Sequence, residues 1–185
     1  MLPVMSNIIV TRPLSADEVK AHAYVTACPA SNTRTLLYYF RLLPDGRFLF
    51  GGRGDFSGTP EAHAVMRATL TRGFHSVFPH WRDVAITHSW HGLISATQRL
   101  LPAVAPLGDD PTTFVSFGCH GNGVARSTNA GQLLARLVAG APDERPALVA
   151  QLPKPFFPAG ARLWMLRAAY GLYRAREWLS ARGRG

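Results

Sequence analysis

The segment Thr113-Phe-Val-Ser-Phe-Gly-Cys-His-Gly-Asn-Gly-Val124 contains the pattern on which the fold prediction depends. Its aromatic and β-branched start predicts a strand at residues 113–117, and residues 118–123 form a glycine-rich loop. From Val124 the apolar residues recur at helical spacing. A helix that starts directly after such a loop presents unpaired N–H groups and the positive end of its dipole. The segment therefore predicts either an anion or cofactor site, or only a tight strand-to-helix turn.

The flanking sequence predicts further strands and helices. Strands are predicted at residues 7–11, 35–43, 47–52 and 84–97, with Pro44-Asp45-Gly46 as a hairpin turn. Ser15 and Glu18 form a capping box that opens a short helix. Three longer helices are predicted. The first starts at Pro60 and has apolar positions Val65, Leu70, Phe74 and Val77. The second starts at Val124, carries Leu133, Leu134, Leu137 and Val138 on one side and is ended by Gly140 and Pro142, and the third starts at about Leu163. Pro102, Pro106 and a turn at 109–111 are expected to interrupt the chain between residues 97 and 113.

Hairpin strands mixed with strand-to-helix connections indicate an α/β or α+β fold with a mixed, largely antiparallel sheet. We predict a sheet region at residues 1–100, a strand-loop-helix segment at 101–150, and a linker with a C-terminal amphipathic helix at 151–185. That last helix carries arginines beside a stripe formed by Leu163, Leu166, Tyr170 and Tyr173. It either lies on a membrane surface or packs on its own domain, and the second is the commoner use of such a helix.

Composition excludes several classes of protein. The 47% of hydrophobic residues suits a folded core, and no apolar run reaches the ~18 residues of a membrane span. The first ten residues lack the features of a signal peptide, and two distant cysteines do not form a disulfide framework, so a cytoplasmic protein is expected. The net charge of +9 is not accompanied by a nucleic-acid-binding motif, so we expect no nucleic-acid partner.

Several short motifs stand in a characteristic order along the chain. They are Tyr39-Phe-Arg-Leu42, Phe50-Gly-Gly52, Trp90-x-Gly92, Leu101-Pro102, residues 117–124, residues 131–135 and the ending at 152–160. This series resembles the glycine/D-amino-acid oxidase-like family of FAD-dependent oxidoreductases. The resemblance covers nearly the whole chain and implies oxidation of an amine or amino acid by hydride transfer to flavin.

The resemblance also implies roles for individual residues. The residues implied to bind substrate are Tyr39, Arg41 and Trp90, and those implied to contact the cofactor are Gly92, His120, Gly121, Asn122, Gly123 and Val124. Residues two apart on a strand share a face, and an arginine there can bind a substrate carboxylate through two hydrogen bonds. The alternatives are an exposed Arg41 on a hairpin, a Trp90 that fills the core, and a His120 that is only buried or hydrogen-bonded. No residue is identified as catalytic.

Two departures from the family pattern matter. The family binds the ADP part of FAD with an N-terminal βαβ unit carrying GxGxxG, and neither that motif nor its acidic residue occurs here. We therefore expect that the dinucleotide-binding half is absent. This absence has three explanations: the gene encodes a truncated product, the chain is one part of a split enzyme whose partner is a separate N-terminal half, or the start of the reading frame is misassigned. The alternative is a non-catalytic relic or binding module without flavin.

Thr97-Gln98-Arg99 also differs from the Thr-x-Asp of relatives, which leaves open whether these residues contact the substrate or the flavin ring.

Neither a metal site nor a covalent flavin is expected. His88, His91, Cys119 and His120 match no metal-ligand spacing, and residues three apart on a strand point to opposite faces. Some members of the family tether flavin through a Cys near the strand that holds Trp90. No Cys lies there, so the resemblance implies non-covalent FAD.

Overall fold

The computed structural model describes residues 1–22, 26, 28–54, 57–156 and 160–182. Its helices are α1 (Ala16–Ala21), α2 (Pro60–Val77), α3 (Gly123–Val138) and α4 (Arg162–Arg182), and a short 3-10 helix spans Pro79–Trp81. Its strands are β1 (Leu2–Pro13), β2 (Ala30–Ser31), β3 (Tyr38–Leu42), β4 (Arg47–Arg53), β5 (Ile86–Ala96), β6 (Ala103–Leu107) and β7 (Asp110–Phe117). The predicted fold class is confirmed. Residues 55–56 of the predicted loop and 157–159 of the predicted linker lie outside the described residues.

The residues group into two compact units. One unit contains Val4–Leu93 and Arg167–Gly185, and the other contains Met1–Pro3 and Ile94–Leu166. The domain limits that we drew at residues 100 and 150 stay predictions. None of the described helices combines the length and apolar character needed to cross a bilayer.

The sheet of the first unit is built around the predicted hairpin. Within the described residues its five strands lie in the order β2-β3-β4-β1-β5, and the β2–β3, β3–β4 and β4–β1 pairs are antiparallel. Gly46 closes the β3–β4 turn with a φ of 79°, a value that favours glycine. β3 begins at Tyr38 rather than at residue 35, because the Tyr38 backbone N–H is bound by the Asn32 side chain at 2.9 Å, where the chain bends back.

Helix α2 covers one face of this sheet. Its buried residues are Met66, Leu70, Gly73 and Phe74, which pack with Phe48, Phe50, Phe78 and Trp81 in the core. Of the four apolar positions named from the sequence, Leu70 and Phe74 are buried, whereas Val65 and Val77 are exposed. At about 100° per residue, Val65 lies about 140° from Leu70 around the helix and Met66 only about 40°, so the buried side takes Met66 and not Val65.

Tyr38 lies between the sheet and α2, in a gap that two glycines leave open. A Cβ on Gly52 would stand 3.1 Å from Tyr38 Cδ1, and one on Gly73 would stand 2.6 Å from the Tyr38 hydroxyl oxygen. Real side chains do not approach so closely, so glycine is needed at Gly73 for the helix to pack at this distance.

The second unit contains a hairpin that the sequence analysis missed. β6 and β7 pair antiparallel, with Pro106 opposite Phe114, and β7 begins at Asp110 rather than at residue 113. The expectation that prolines interrupt this region was wrong. Proline is tolerated in an edge strand when its backbone nitrogen points away from the partner strand, because no hydrogen bond between the strands is then lost.

The end of α3 follows the prediction. Gly140 has a φ of 66°, its N–H donates to Leu137 O, and the next N–H donates to Arg136 O. These two bonds form the glycine-dependent helix end that the sequence indicated. The predicted apolar side is correct in part, since Val138 is exposed.

Candidate functional site

Tyr39 and Arg41 lie on the face of the sheet that points away from α2. Their neighbours Tyr38 and Phe40 pack against the core, so alternation along β3 places Tyr39 and Arg41 on the other side. Arg41 is half-buried, and among the described residues no atom accepts a hydrogen bond from its Nε. This Nε is buried, so it is an unsatisfied donor that an anion bound at this face of the sheet would pair.

The Tyr39 hydroxyl is held in place by Ser6. The two oxygens are 2.6 Å apart, and burial raises the pKa of Tyr39, so the phenol stays neutral at ordinary pH. The ring lies across Gly51, where any side chain would overlap it. Gly51 in the Phe50-Gly-Gly52 motif thus makes room for Tyr39 on this face, as Gly52 does for Tyr38 on the other.

Trp90 belongs to the same face. Its neighbours on β5 face α2, because Ser89 lines a groove beside α2 and the ring of His91 lies 4.6 Å from that of His63 in α2. Trp90 therefore points the opposite way, and with 43% of its surface exposed it does not fill the core. Gly92 follows two residues later on the same strand, and no atom lies within 4 Å of the Cβ that it lacks. The structure thus groups Gly92 with Tyr39, Arg41 and Trp90 in the first unit.

The loop of residues 118–122 in the second unit contains three residues with positive φ. They are Gly118 at 83°, His120 at 53° and Gly121 at 94°. A φ of this kind is easy for glycine and uncommon for other residues, so His120 needs compensating contacts. The loop joins β7 to α3, as the sequence predicted.

Thr97, which the sequence analysis did not single out as a site residue, supplies one of those contacts. Its hydroxyl donates to Leu101 O at 2.8 Å and lies 3.2 Å from His120 Nε2. Because the only hydroxyl hydrogen is already donated, Nε2 must carry a proton and donate to Thr97. Thr97 also packs on Gly118, where a Cβ would stand 2.6 Å from its methyl group. The imidazole of His120 is therefore hydrogen-bonded, and Thr97 secures the loop at two points.

The N-terminus of α3 is open to solvent. Asn122 precedes the helix without making a side-chain capping bond, and the first helical bond runs from Arg126 N–H to Asn122 O. The N–H groups of Gly123, Val124 and Ala125 therefore find no partner among the described residues, as expected in the first turn of a helix. Val124 is 91% exposed. Such an end can bind an anion or an oxygen that gains negative charge.

Two details concern Asn122 and Gly123, which the family resemblance implies to contact the cofactor. The Asn122 N–H is used within the loop, where it donates to Cys119 O at 2.9 Å. Gly123 does not have a positive φ, and a Cβ there would meet only Cys119 Cβ at 4.0 Å. The glycines of this loop that have positive φ are Gly118 and Gly121. Among the described residues no group of three His, Cys, Asp or Glu side chains could hold a metal ion.

Comparison with known proteins identifies relatives of the chain. A family model described as "DAO: FAD dependent oxidoreductase" matches residues 1–137. The chain is 34% identical to a probable oxidoreductase OrdL from Rhizobium meliloti over 153 residues, covering 83% of this chain and 34% of the relative. It is 31% identical to gamma-glutamylputrescine oxidoreductase from Escherichia coli over 170 residues, covering 92% of this chain and 38% of that enzyme.

A solved structure shares the fold. Glycine oxidase from Geobacillus kaustophilus superposes with a TM-score of 0.64 at 19% identity, covering 83% of this chain and 40% of that one. The chain therefore spans between about a third and two fifths of the length of the proteins that it matches.

Proposed function

The chain belongs to the DAO family of FAD-dependent oxidoreductases, and we propose that it forms the substrate-facing sheet and a flavin-facing loop of an enzyme that oxidises an amine or amino acid. The observation that carries the proposal is the open N-terminus of α3, which follows a loop with positive φ at Gly121. Because the relatives extend well beyond the matched region, the remaining FAD contacts would come from residues outside these 185, in the same polypeptide or in a separate N-terminal half.

The residues at the start of α3 fit one edge of a flavin. The N–H groups of Gly123, Val124 and Ala125 are unpaired, and the exposure of Val124 leaves them accessible. A helix N-terminus stabilises a neighbouring negative charge by roughly 0.3–1 kcal/mol at an exposed site and by more when buried. FAD, when bound, would supply the acceptor for the hydride that leaves the amine carbon. The part of the chain described here would hold the flavin edge on which charge develops.

The open face of the sheet suits a substrate that carries a carboxylate. Arg41 offers a planar cationic donor, and its Nε has no partner among the described residues. Tyr39 offers a neutral phenol whose position is set by Ser6, and Trp90 offers an apolar ring. A carboxylate bound to Arg41 would orient the amine, since a two-point contact fixes direction as well as position.

We propose that the flavin is bound non-covalently and that the enzyme works in the cytoplasm. Neither Cys28 nor Cys119 takes part in a disulfide, as is usual for proteins of reducing compartments. Cys119 Sγ lies 3.6 Å from Ser127 Oγ, and no cysteine occurs on β5 near Trp90. Acid precipitation of the loaded enzyme should therefore release all of the flavin, and colour that stays in the pellet would contradict this proposal.

A chimera tests the proposed function directly. The part of the Rhizobium meliloti relative that matches this chain is replaced by it, and the purified chimera is mixed without oxygen with a panel of amines and amino acids. We expect bound FAD in the chimera and loss of its visible absorbance with at least one substrate. A chimera that folds but holds no FAD, or whose FAD no amine or amino acid reduces, would favour a non-catalytic relic.

A further inference from the structure

Helix α4 has two apolar stripes on different sides. Leu166 and Tyr170 form the buried one. The other consists of Met165, Ala168, Leu172, Ala175 and Leu179, all exposed and separated alternately by three and four residues. At about 100° per residue, Leu172 is turned about 160° away from Tyr170, and the second stripe runs about 21 Å along the helix. A helix that only packs on its own domain needs the first stripe and not the second.

The segment that contains the second stripe carries a large excess of positive charge. Residues 161–185 contain a single acidic residue, Glu177, and six arginines: Arg162, Arg167, Arg174, Arg176, Arg182 and Arg184. Trp164, next to the first residue of the stripe, has 71% of its surface exposed. At about 100° per residue, the exposed Arg176 lies about 40° and Trp164 about 80° from Leu172 around the helix. Exposed apolar side chains beside arginine and tryptophan are typical of helices that lie in the plane of a lipid headgroup layer.

We propose that the second stripe of α4 docks this protein on an anionic lipid surface, with the helix axis parallel to that surface. Leu172 and Leu179 would enter the apolar boundary while Arg176, which is exposed on the same side, meets anionic headgroups. Charge complementarity favours this occupant over a second copy of the chain, because the excess of arginine in residues 161–185 attracts an anionic surface and repels a segment of like charge. The inference does not depend on flavin or on the proposed oxidation.

A flotation assay tests this proposal on the whole chain. The protein is mixed with vesicles of phosphatidylcholine containing phosphatidylglycerol, or of phosphatidylcholine alone, and centrifuged under a sucrose gradient. Bound protein rises with the vesicles, whereas aggregated protein sinks. We expect flotation with anionic vesicles only, and weaker flotation as salt rises.

Substitutions locate the contact. Leu172→Glu should abolish flotation, and Leu107→Glu should leave it unchanged, because Leu107 is equally exposed, at 51% against 50%, but lies in the β6–β7 hairpin. Arg176→Gln should lower the partition coefficient about fivefold, since an anionic surface attracts each nearby arginine by about 1 kcal/mol. Circular dichroism of each variant verifies that α4 remains folded.

Three results would overturn the proposal. The first is equal flotation with neutral and anionic vesicles. The second is flotation of the Leu172→Glu variant at the level of the Leu107→Glu control. The third is an absence of flotation together with concentration-dependent dimers that Leu172→Glu disrupts, which would assign the stripe to a second copy of the chain.

Discussion

At the scale of single residues, Arg41 is the side chain on which substrate binding would depend. Replacing Arg41 by Ala in the chimera removes a charge-assisted donor and should raise KM for a carboxylate-bearing amine by roughly tenfold or more, without altering the flavin spectrum. Arg67→Ala is the matched control, because Arg67 is an exposed arginine on α2. Steady-state kinetics checks the prediction. An unchanged KM in Arg41→Ala, or an equal rise in the control, would remove Arg41 from the substrate face.

Gly121 permits a second comparison between single residues. Gly121 and Gly108 both have positive φ, at 94° and 63°, so Ala at either position strains the backbone by roughly 1 kcal/mol. Only Gly121 lies in the loop before α3. We therefore expect both variants of the chimera to lose similar stability in urea unfolding, but only Gly121→Ala to lose flavin during dialysis. Equal flavin retention in both variants would mean that the loop is only a turn.

At the scale of elements, the packing of α2 reverses an ordinary helix rule. Gly→Ala inside a helix usually stabilises by about 1 kcal/mol, and Gly131→Ala in α3 should do so, since no atom lies within 4 Å of the added Cβ. Gly73→Ala in α2 should instead destabilise, because its Cβ would stand 2.6 Å from the Tyr38 hydroxyl oxygen. We expect a net loss of about 1–3 kcal/mol, as for other overpacked cores. Urea unfolding followed by circular dichroism measures the change in the free energy of unfolding of both variants. A Gly73→Ala variant that is more stable than the original chain would contradict this packing.

The start of α1 provides a prediction on pH. Glu18 accepts two hydrogen bonds from Arg12 and one from the Ser15 backbone N–H, which lower its pKa from 4.5 to about 2. A carboxylate with a lowered pKa stabilises the fold above its unfolded pKa, and this stabilisation is lost as pH falls through the folded value. Glu18→Gln should therefore cost up to about 1 kcal/mol at pH 7, and the difference from the original chain should shrink between pH 4.5 and about 2.

Glu144→Gln is the control for this measurement. Glu144 pairs with Arg136 at 2.7 Å, but both side chains are more exposed than those of Glu18 and Arg12. Its substitution should change the free energy of unfolding by only a few tenths of a kcal/mol. A Glu18→Gln effect that is constant from pH 7 to pH 2 would show that the charge is not responsible.

At the scale of the whole molecule, the chain should hold little flavin by itself. The loop before α3 offers a few N–H groups, whereas family members also bind the pyrophosphate through a GxGxxG motif that is absent from these 185 residues. We expect the purified chain to be colourless or to carry far less than one FAD, while the chimera purified in parallel is yellow. The absorbance ratio of flavin to protein checks this, and one tightly held FAD per isolated chain would contradict it.

Local features of the chain were predictable from the sequence because neighbouring residues determine them. The capping box of α1 needs only Ser15 and Glu18, the β3–β4 turn needs Gly46, and the end of α3 needs Gly140. Each forms bonds within a few residues, so the order of residues already contains the geometry. The family motifs were recognisable for the same reason, since they are short and contiguous.

The tertiary structure decided what depends on residues far apart in the chain. Tyr38 fits between Gly52 and Gly73 only when β4 and α2 pack at one distance. Thr97 meets His120 across 23 positions of sequence because the end of β5 and the loop before α3 come together. Such contacts are selected by close packing, which neither periodicity nor spacing along the sequence contains.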